Sequence, residues 1–407
     1  PLTSLTESVV RFDKPVLVTR DGKGLAEAVA KKLGEHGVAA TVGDLNAPGE
    51  FGGVIHLGEL SASGDYKAST RTLLQLAQRL TADKAELFVT VTGLGGGFGL
   101  NGTSKEQLGQ AGAIGFTQAL SQEWTDALVK AIDVDATLPA TELASHLVDE
   151  LFSGDRTTEV GFTKQGRVAV SLLPMAAPAK AANLNAASVI VITGGAKGLG
   201  LKLAKALAKQ TGATIALTGR SAPNEEVAKA CAQVKGAGAK ACTYHPMDVR
   251  DAANVKTAID AIRTAHGRID GVVHAAGILA DALVEKKTLA GVDGVLETKV
   301  GGALSLLEAT KTDALVLFAG VGSWAGRFGN AAQTDYSAAN RMLARVARPG
   351  VRCVAIDSPP WEDSDMARKI PGFKKAELKA SGVTFLGDEE GVAAFMTELL
   401  GGSGEVL

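Results

Sequence analysis

VIVITGGAKGLGLKLAKAL, residues 189–207, decides the fold. Val189 to Thr193 are all β-branched, which reads as a buried strand. A glycine turn follows, and then an Ala/Leu/Lys stretch that reads as a helix. Strand, turn and helix in that order form the phosphate-binding corner of a doubly wound α/β sheet. Glycines at 194, 198 and 200 let the turn tighten and present amide N–H groups, with the helix dipole, to a dinucleotide phosphate. A glycine fingerprint alone is weak evidence; its strand–helix context and a degenerate copy upstream strengthen it.

Outward from this corner the same alternation runs through the chain. VLVT (16–19), GGVIHL (52–57) and AELFVTVTG (85–93) read as strands in the first half. IALTGR (215–220), GVVHAAG (271–277) and ALVLFAG (314–320) do so in the second, each separated by helical stretches. This predicts parallel sheets with helices on both faces. The halves also match each other. The segment from Thr19 to Ala26 aligns with Thr193 to Gly200, Gly-Val-Ile-His (53–56) repeats as Gly-Val-Val-His (271–274), and Ala131-Ile132-Asp133 repeats as Ala355-Ile356-Asp357. Three matches in order argue for an internal duplication, with two Rossmann-like units packed as a pseudo-dimer. Residues 172–188, rich in Ala, Pro and Asn, read as the linker, which gives a structural subdomain over 1–180 and a catalytic one over 181–407. Gly194 and Gly200 become Arg20 and Ala26 in the first copy, and a side chain at either place blocks close approach of a pyrophosphate. The residue 21 before Asp133 is Gly112, whereas Tyr336 stands 21 before Asp357. The first half is therefore expected to bind no cofactor and to brace the second.

Composition sets the outer limits. The chain has 407 residues, which suits two domains, with 46% apolar and 21% charged residues and a net charge of −2. That balance excludes a strongly basic nucleic-acid binder. No apolar run approaches the roughly 18 residues that span a bilayer, and the N-terminal stretch has no secretory pattern, so a cytoplasmic location without membrane attachment is expected. Cys231, Cys242 and Cys353 never fall as C-x-x-C and read as packed thiols. Six scattered histidines offer no metal motif.

Where a dinucleotide site holds its ribose, Arg220 stands in place of an acid. A guanidinium there either pairs with the extra phosphate of NADP or is simply a solvated surface group. Asp248, in HPMDV, either accepts from an adenine amino group or forms a turn. Ser323 closes a strand 13 residues before Tyr336, and Tyr336 opens a helix in TDYSAANRM (334–342), placing a hydroxyl beside a phenol. Either this tyrosine is no catalyst, or the cation that would acidify it comes from elsewhere, because position 340 holds Asn.

The order TGGAKGLG, VVHAAG, Ser323, Tyr336 resembles the short-chain dehydrogenase/reductase superfamily. FAGVGSWAGRFGNAAQTDYSAAN, with a degenerate first half, is similar more narrowly to the ketoreductase domains of modular polyketide synthases, and AGRFGNAAQTDYSAAN to those of polyunsaturated fatty acid synthases and related iterative systems. In these domains lysine and asparagine trade sequence positions. The resemblance thus implies Lys299 as the cation and Asn340 in the exchanged role, completing a catalytic set with Tyr336 and Ser323. It implies NADPH held by Thr193, Gly194, Gly195, Ala196, Lys197, Gly198, Leu199 and Gly200, by Arg220, Ser221, Asp248 and Val249, by Ala275, Ala276 and Gly277, by Lys299 and Tyr336, and by a nicotinamide loop at Pro359, Pro360 and Trp361. A free phenol titrates near 10, and a neighbouring ammonium brings it toward the working pH. The implied activity is hydride transfer from NADPH to the β-carbonyl of an acyl thioester borne on an acyl carrier protein, among neighbouring synthase domains. A silent structural domain, an epimerising one, or a discrete small-ketone reductase are the alternatives.

Two departures bear on stereochemistry. Leu279-Ala280-Asp281 stands where the family's Leu-Asp-Asp marks one product configuration, and Phe328 stands where a Trp marks the other. Residues 366–381, MARKIPGFKKAELKAS, fall at the family's active-site lid. They carry Arg368, Lys369, Lys374, Lys375 and Lys379 against Glu377 alone, which is either a docking face for an acidic carrier protein or an ordinary solvated face. No second catalytic signature is present, and the chain reads as a segment of a larger synthase.

Overall fold

The computed structural model describes residues 14–61, 64–80, 85–176, 178–179, 182–362, 368, 370–380 and 383–407. The chain divides into two compact units. The first comprises residues up to Pro174 together with Leu279–Leu296 and Ala325–Arg345; the second comprises Met175–Ile278, Glu297–Trp324 and Val346–Leu407. The boundary expected between 180 and 181 lies outside the described residues.

The first unit is built on the sheet β1 (Val16–Thr19), β2 (Ala40–Gly43), β3 (Gly53–His56), β4 (Leu87–Thr92), β5 (Leu128–Val134), β6 (Glu159–Thr163) and β7 (Gly166–Val168), in the order β2-β1-β3-β4-β5-β6-β7. All neighbours are parallel except β6 and β7. Its helices are α1 (Leu25–Glu35), α2 (Tyr66–Arg79), α3 (Leu108–Glu123) and α4 (Ala140–Leu151). The second sheet holds β8 (Val189–Thr193), β9 (Thr214–Gly219), β10 (Ala241–Pro246), β11 (Gly271–His274), β12 (Leu317–Ser323), β13 (Arg352–Ser358) and β14 (Gly404–Val406), all parallel, in the order β10-β9-β8-β11-β12-β13-β14. The helices of this half of the sequence are α5 (Gly198–Thr211), α6 (Glu225–Gly236), α7 (Ala252–His266), α8 (Leu289–Leu296), α9 (Gly302–Ala309), α10 (Trp324–Phe328), α11 (Thr334–Leu343), α12 (Gly372–Ala380) and α13 (Asp388–Gly401). In both sheets the strand order reverses beside the first strand of the copy, the place where a doubly wound sheet opens a ligand crevice. Two Rossmann-like units are thus present, as the repeats predict. The strand positions follow from composition: β1, β3, β4, β8 and β11 are buried along their whole length, and β-branched residues fill a sheet covered on both faces.

Each unit has its own apolar core. The segment 172–188 contains no helix or strand among its described residues, and Leu172, Leu173 and Met175 are exposed. Its latter part is not a free linker, however. Ala182 and Leu184 are buried in the second core, and the Ala182 amide donates to the Leu400 carbonyl at 2.8 Å. The three cysteines are free and half-buried, with Cys231 and Cys242 packed against that core. No helix among the described residues is long and apolar enough to cross a membrane, and they contain no cluster able to hold a metal ion.

In the first unit α11 packs on α3, and glycines permit the approach. A Cβ on Gly115 would stand 2.6 Å from the Ser337 carbonyl oxygen, and one on Gly112 would collide with the Met342 side chain. Gly112, at the place corresponding to Tyr336 in the duplication, is therefore a packing requirement of the tyrosine's own helix.

Charges are buried beneath this contact. Glu159 on β6 accepts from Arg341 and Arg327 and, at 2.8 Å, from Gln118 Nε2. Arg341 is fully buried and Arg327 nearly so. Removing the shared carboxylate takes a counter-charge away from two buried guanidiniums, a loss on the order of 3–5 kcal/mol. Glu159→Leu is expected to destabilise the protein by about that amount in equilibrium urea unfolding, whereas a loss below about 1 kcal/mol, the scale of a surface pair, would contradict this account.

Candidate functional site

The glycine turn of the second unit is shaped by the demands read from its sequence. Gly194 and Gly198 hold φ of 63° and 52°, the left-handed region. A Cβ on Gly200 would lie 2.4 Å from the Gly194 carbonyl oxygen, so no other residue lets α5 start so close to β8. Gly198 faces open space, and no side chain caps the helix at Lys197. The first-turn amides of α5 are thus free of a side-chain acceptor, as a phosphate site requires. Thr193 is buried beneath the turn, Gly195 packs against Ile192 and Leu217, and Ala196 and Leu199 rest on the core. These residues fit a dinucleotide.

The first unit answers the same geometry differently. After β1 the Asp21 carboxylate, almost fully buried, accepts from the amides of Lys23, Leu25 and Ala26 at 3.0, 3.3 and 3.0 Å. The helix start that binds phosphate in such folds is filled by the chain's own anion. Arg20 and Ala26 stand beside it where the second unit has glycines.

Around Arg220 the structure is open. Arg220 and Ser221 follow the end of β9 and are exposed, and the Tyr244 hydroxyl donates to the carbonyls of Gly219 and Ser221 at 3.0 and 2.8 Å, fixing their backbone. Asp248 lies two residues past β10. Its carboxylate is clamped by Arg250 through Nε at 3.0 Å and Nη2 at 2.6 Å, and this pairing holds it below the usual carboxylate range. Both expected roles of Asp248 thus meet at one residue that already has a cation. Val249 is buried against Gly302.

Lys299 sits where sequence periodicity alone gives no warning. Between α8 and α9 the chain widens into a π-helical turn, Glu297–Gly301, a feature common at functional sites. Lys299 is buried, its Nζ donates to the Val321 carbonyl at 2.7 Å, and its stem passes the Gly277 backbone. Burial pulls its ammonium down to about 8, opposed by the negative charge of Asp357. His274, at the end of β11, anchors this turn. Its Nε2 lies 3.0 Å from the Lys299 carbonyl oxygen and 3.2 Å from that of Thr298, so Nε2 carries the proton and donates. Its Nδ1 accepts from Thr193 Oγ1 at 2.9 Å, and that oxygen accepts from the amides of Ala275 and Ala276 at 3.1 Å. Burial, assisted by the nearby Lys299 charge, lowers His274 to about 4 and keeps it neutral. Ser323 is the last residue of β12, and its amide donates to Asp357 Oδ1 at 3.1 Å. Pro359 and Pro360 are half-buried, and Trp361 is buried with its indole donating to Ser358 Oγ at 3.1 Å. The resemblance implies Lys299 but gives His274 no role as its anchor; the signal is Gly-Val-Val-His, which the sequence offers as a repeat and as part of the VVHAAG motif.

Tyr336 and Asn340 belong to the first unit by compactness. Both are buried on α11, and Asn340 Nδ2 donates to the Tyr336 carbonyl at 2.7 Å. The stereochemical markers lie here too. Asp281 accepts from Gln333 Nε2 at 3.1 Å, and Phe328 is partly exposed with its carbonyl accepting from Gln122. Of the basic stretch, Met366, Ala367, Lys369 and Ser381 lie outside the described residues. Arg368 is exposed; Lys375 and Lys379 stand 5.9 and 5.6 Å from the Phe385 ring, and Lys379 also pairs with Glu362 at 3.1 Å.

Known proteins resemble the chain in sequence and in fold. Residues 188–363 match the family model described as KR domain. The chain is 32% identical over 230 residues to polyketide synthase PksN of Bacillus subtilis (strain 168), covering 54% of this chain and 4% of that protein. It is 25% identical over 496 aligned residues to one polyunsaturated fatty acid synthase polypeptide of Thraustochytrium sp., covering 96% of this chain and 17% of that one. The chain therefore spans only a small part of the relatives it matches. Among solved structures, a ketoreductase domain from the bacillaene assembly line superposes with a TM-score of 0.76 at 23% identity, over 99% of this chain and 94% of that one, a likeness of fold. The KR match takes in the glycine turn, the lysine turn and the tyrosine helix, and over that segment it supports a polyketide-synthase ketoreductase domain of the short-chain dehydrogenase/reductase superfamily.

Proposed function

We propose that the chain reduces a β-ketoacyl thioester, carried on the phosphopantetheine arm of an acyl carrier protein, to the β-hydroxyacyl thioester with NADPH. The observation that carries this reading is Lys299, a buried ammonium held near pH 8 within the segment that matches the KR family. A lysine taken out of water at such cost has a use for its charge. NADPH supplies the hydride when bound. The turn from Thr193 to Gly200 would hold its pyrophosphate, Arg220 would pair with its ribose phosphate, and Pro359 to Trp361 would take its nicotinamide end. Tyr336 delivers a proton to the carbonyl oxygen as charge develops there, and Ser323 donates a hydrogen bond to the same oxygen. Lys299 supplies the positive charge this chemistry calls for. Its position depends on His274, whose neutral ring grips the carbonyls of the lysine's turn. The basic residues of 366–381 contribute to docking the acidic carrier protein.

Two outcomes are expected when NADPH oxidation is followed with a short β-ketoacyl thioester. Tyr336→Phe lowers kcat by about 10²–10⁴-fold, as loss of a general acid does. NADPH binding without turnover in the unmodified protein would instead point to an epimerising domain, and no binding to a structural one. Arg220→Asp raises the KM for NADPH and improves NADH, since the substituted carboxylate repels phosphate and accepts from ribose hydroxyls; unchanged preference would remove Arg220 from the site.

The pH dependence follows from the sign of the lysine's shift. Its folded pKa lies below the ordinary value, so the ammonium is present below about pH 8 and lost above it. Reduction is expected to slow as pH rises through about 8, and Lys299→Met to be slow below that point. In stability the same shift penalises the folded state at low pH. The penalty fades as pH rises from about 8 toward the lysine's ordinary value of 10.5, so this residue makes unfolding harder across that window. A pH–rate profile flat from 7 to 9 would count against Lys299 as the cation.

A further inference from the structure

A second buried lysine is paired with the residue next to the tyrosine, and nothing in the proposed mechanism uses it. Lys287 and Asp335 have side chains about 1% exposed, with Nζ 2.7 Å from Oδ1. The same Oδ1 accepts the Tyr336 amide at 2.8 Å, and Lys287 Nζ also donates to the Ala280 carbonyl at 2.9 Å. Asp335 Oδ2 is buried without a hydrogen-bond partner among the described residues. Around this pair the chain is stitched at three more points. Gln333 Nε2 donates to Asp281, the Ala282 amide donates to the Ala332 carbonyl at 3.0 Å, and Glu123 at the end of α3 accepts from the amides of Val284 and Ala332 at 2.8 and 2.9 Å. The segment 280–287 and the first turn of α11 are thereby one clamped body within the first unit.

We propose that Lys287 and Asp335 are positioning residues for Tyr336: the pair locks the first turn of α11 onto the 280–287 segment and so fixes where the phenol is presented. Three physical points carry this. No side chain caps α11 at Gln333, and the Asp335 carboxylate accepts from one of the first-turn donors, the tyrosine's own N–H. A buried ion pair is a poor source of stability compared with apolar residues of the same volume, whereas it fixes register, because each group tolerates few alternative partners. And the lysine spans two segments that are 48 residues apart in sequence, so a single contact ties the tyrosine's turn to a distant loop.

This inference rests on the reading of Tyr336 as proton donor, and the experiment separates the two. Lys287→Met/Asp335→Leu removes the pair without leaving a lone buried charge, and Lys287→Arg conserves it. With NADPH and a short β-ketoacyl thioester, the double variant is expected to lose about 10–100-fold in kcat, the scale of a misplaced catalytic group, while KM for both substrates and the melting temperature stay near those of the unmodified protein. Lys287→Arg retains most of the rate. In parallel, hydrogen exchange by mass spectrometry over peptides covering 331–345 is expected to be faster in the double variant, whatever the activity. An inactive unmodified protein would overturn the proposed function, and the exchange result would still judge the clamp. A double variant with unchanged exchange, or with full kcat in an otherwise active protein, would overturn the positioning role.

Discussion

An ammonium removed from water dictates much of the architecture around it. Lys299 must find carbonyl oxygen where no solvent reaches, and it finds Val321 O on β12. To bring the lysine there the helix widens by one residue, and the widened turn exposes carbonyls that need a donor of their own. His274 supplies it from Nε2, while its Nδ1 accepts from the Thr193 hydroxyl. Thr193 is the last residue of the strand that opens into the glycine turn. One chain of hydrogen bonds thus runs from the phosphate corner to the lysine, so the two parts of the site cannot shift independently.

The first unit keeps half of this chain and discards the rest. Thr19 Oγ1 meets His56 Nδ1 at 3.0 Å, as Thr193 meets His274. But His56 Nε2 faces Glu59 at 3.3 Å in place of a widened lysine turn, and Asp21 fills the phosphate corner. What survives is the part that holds strands together, and what is lost is the part that would face a ligand. The repeated Asp behaves likewise. Asp133 accepts from Thr92, Leu94 and Phe98, whereas Asp357 supports Ser323 and shares its charge with Lys299.

The sheets were legible because their signal is local. Runs such as Val189 to Thr193 admit one conformation, and glycines at 194 and 200 exclude most others. Lys299 was not legible by spacing, since a lone lysine in a helical stretch looks like any solvated one; only the swapped Asn340 and the family pattern pointed to it. Lys287, Asp335 and Glu123 left no trace at all. Their meaning lies in partners tens to hundreds of residues away, and nothing in the sequence near Glu123 says that it will take amides from Val284 and Ala332. The membership of 279–296 and 325–345 in the first unit was hidden for the same reason. Gly112 and Gly115 were visible, but what their missing side chains make room for was not.

The Asp21 carboxylate has a thermodynamic consequence. A helix start that waits for a dinucleotide gains stability in proportion to the logarithm of ligand concentration, whereas one closed by its own carboxylate carries the anion at an effective concentration fixed by the chain. The start of α1 therefore carries its anion whether or not a nucleotide is present. Unlike a helix start that waits for ligand, α1 is as well anchored at its N-terminus when the nucleotide pool is depleted as when it is full.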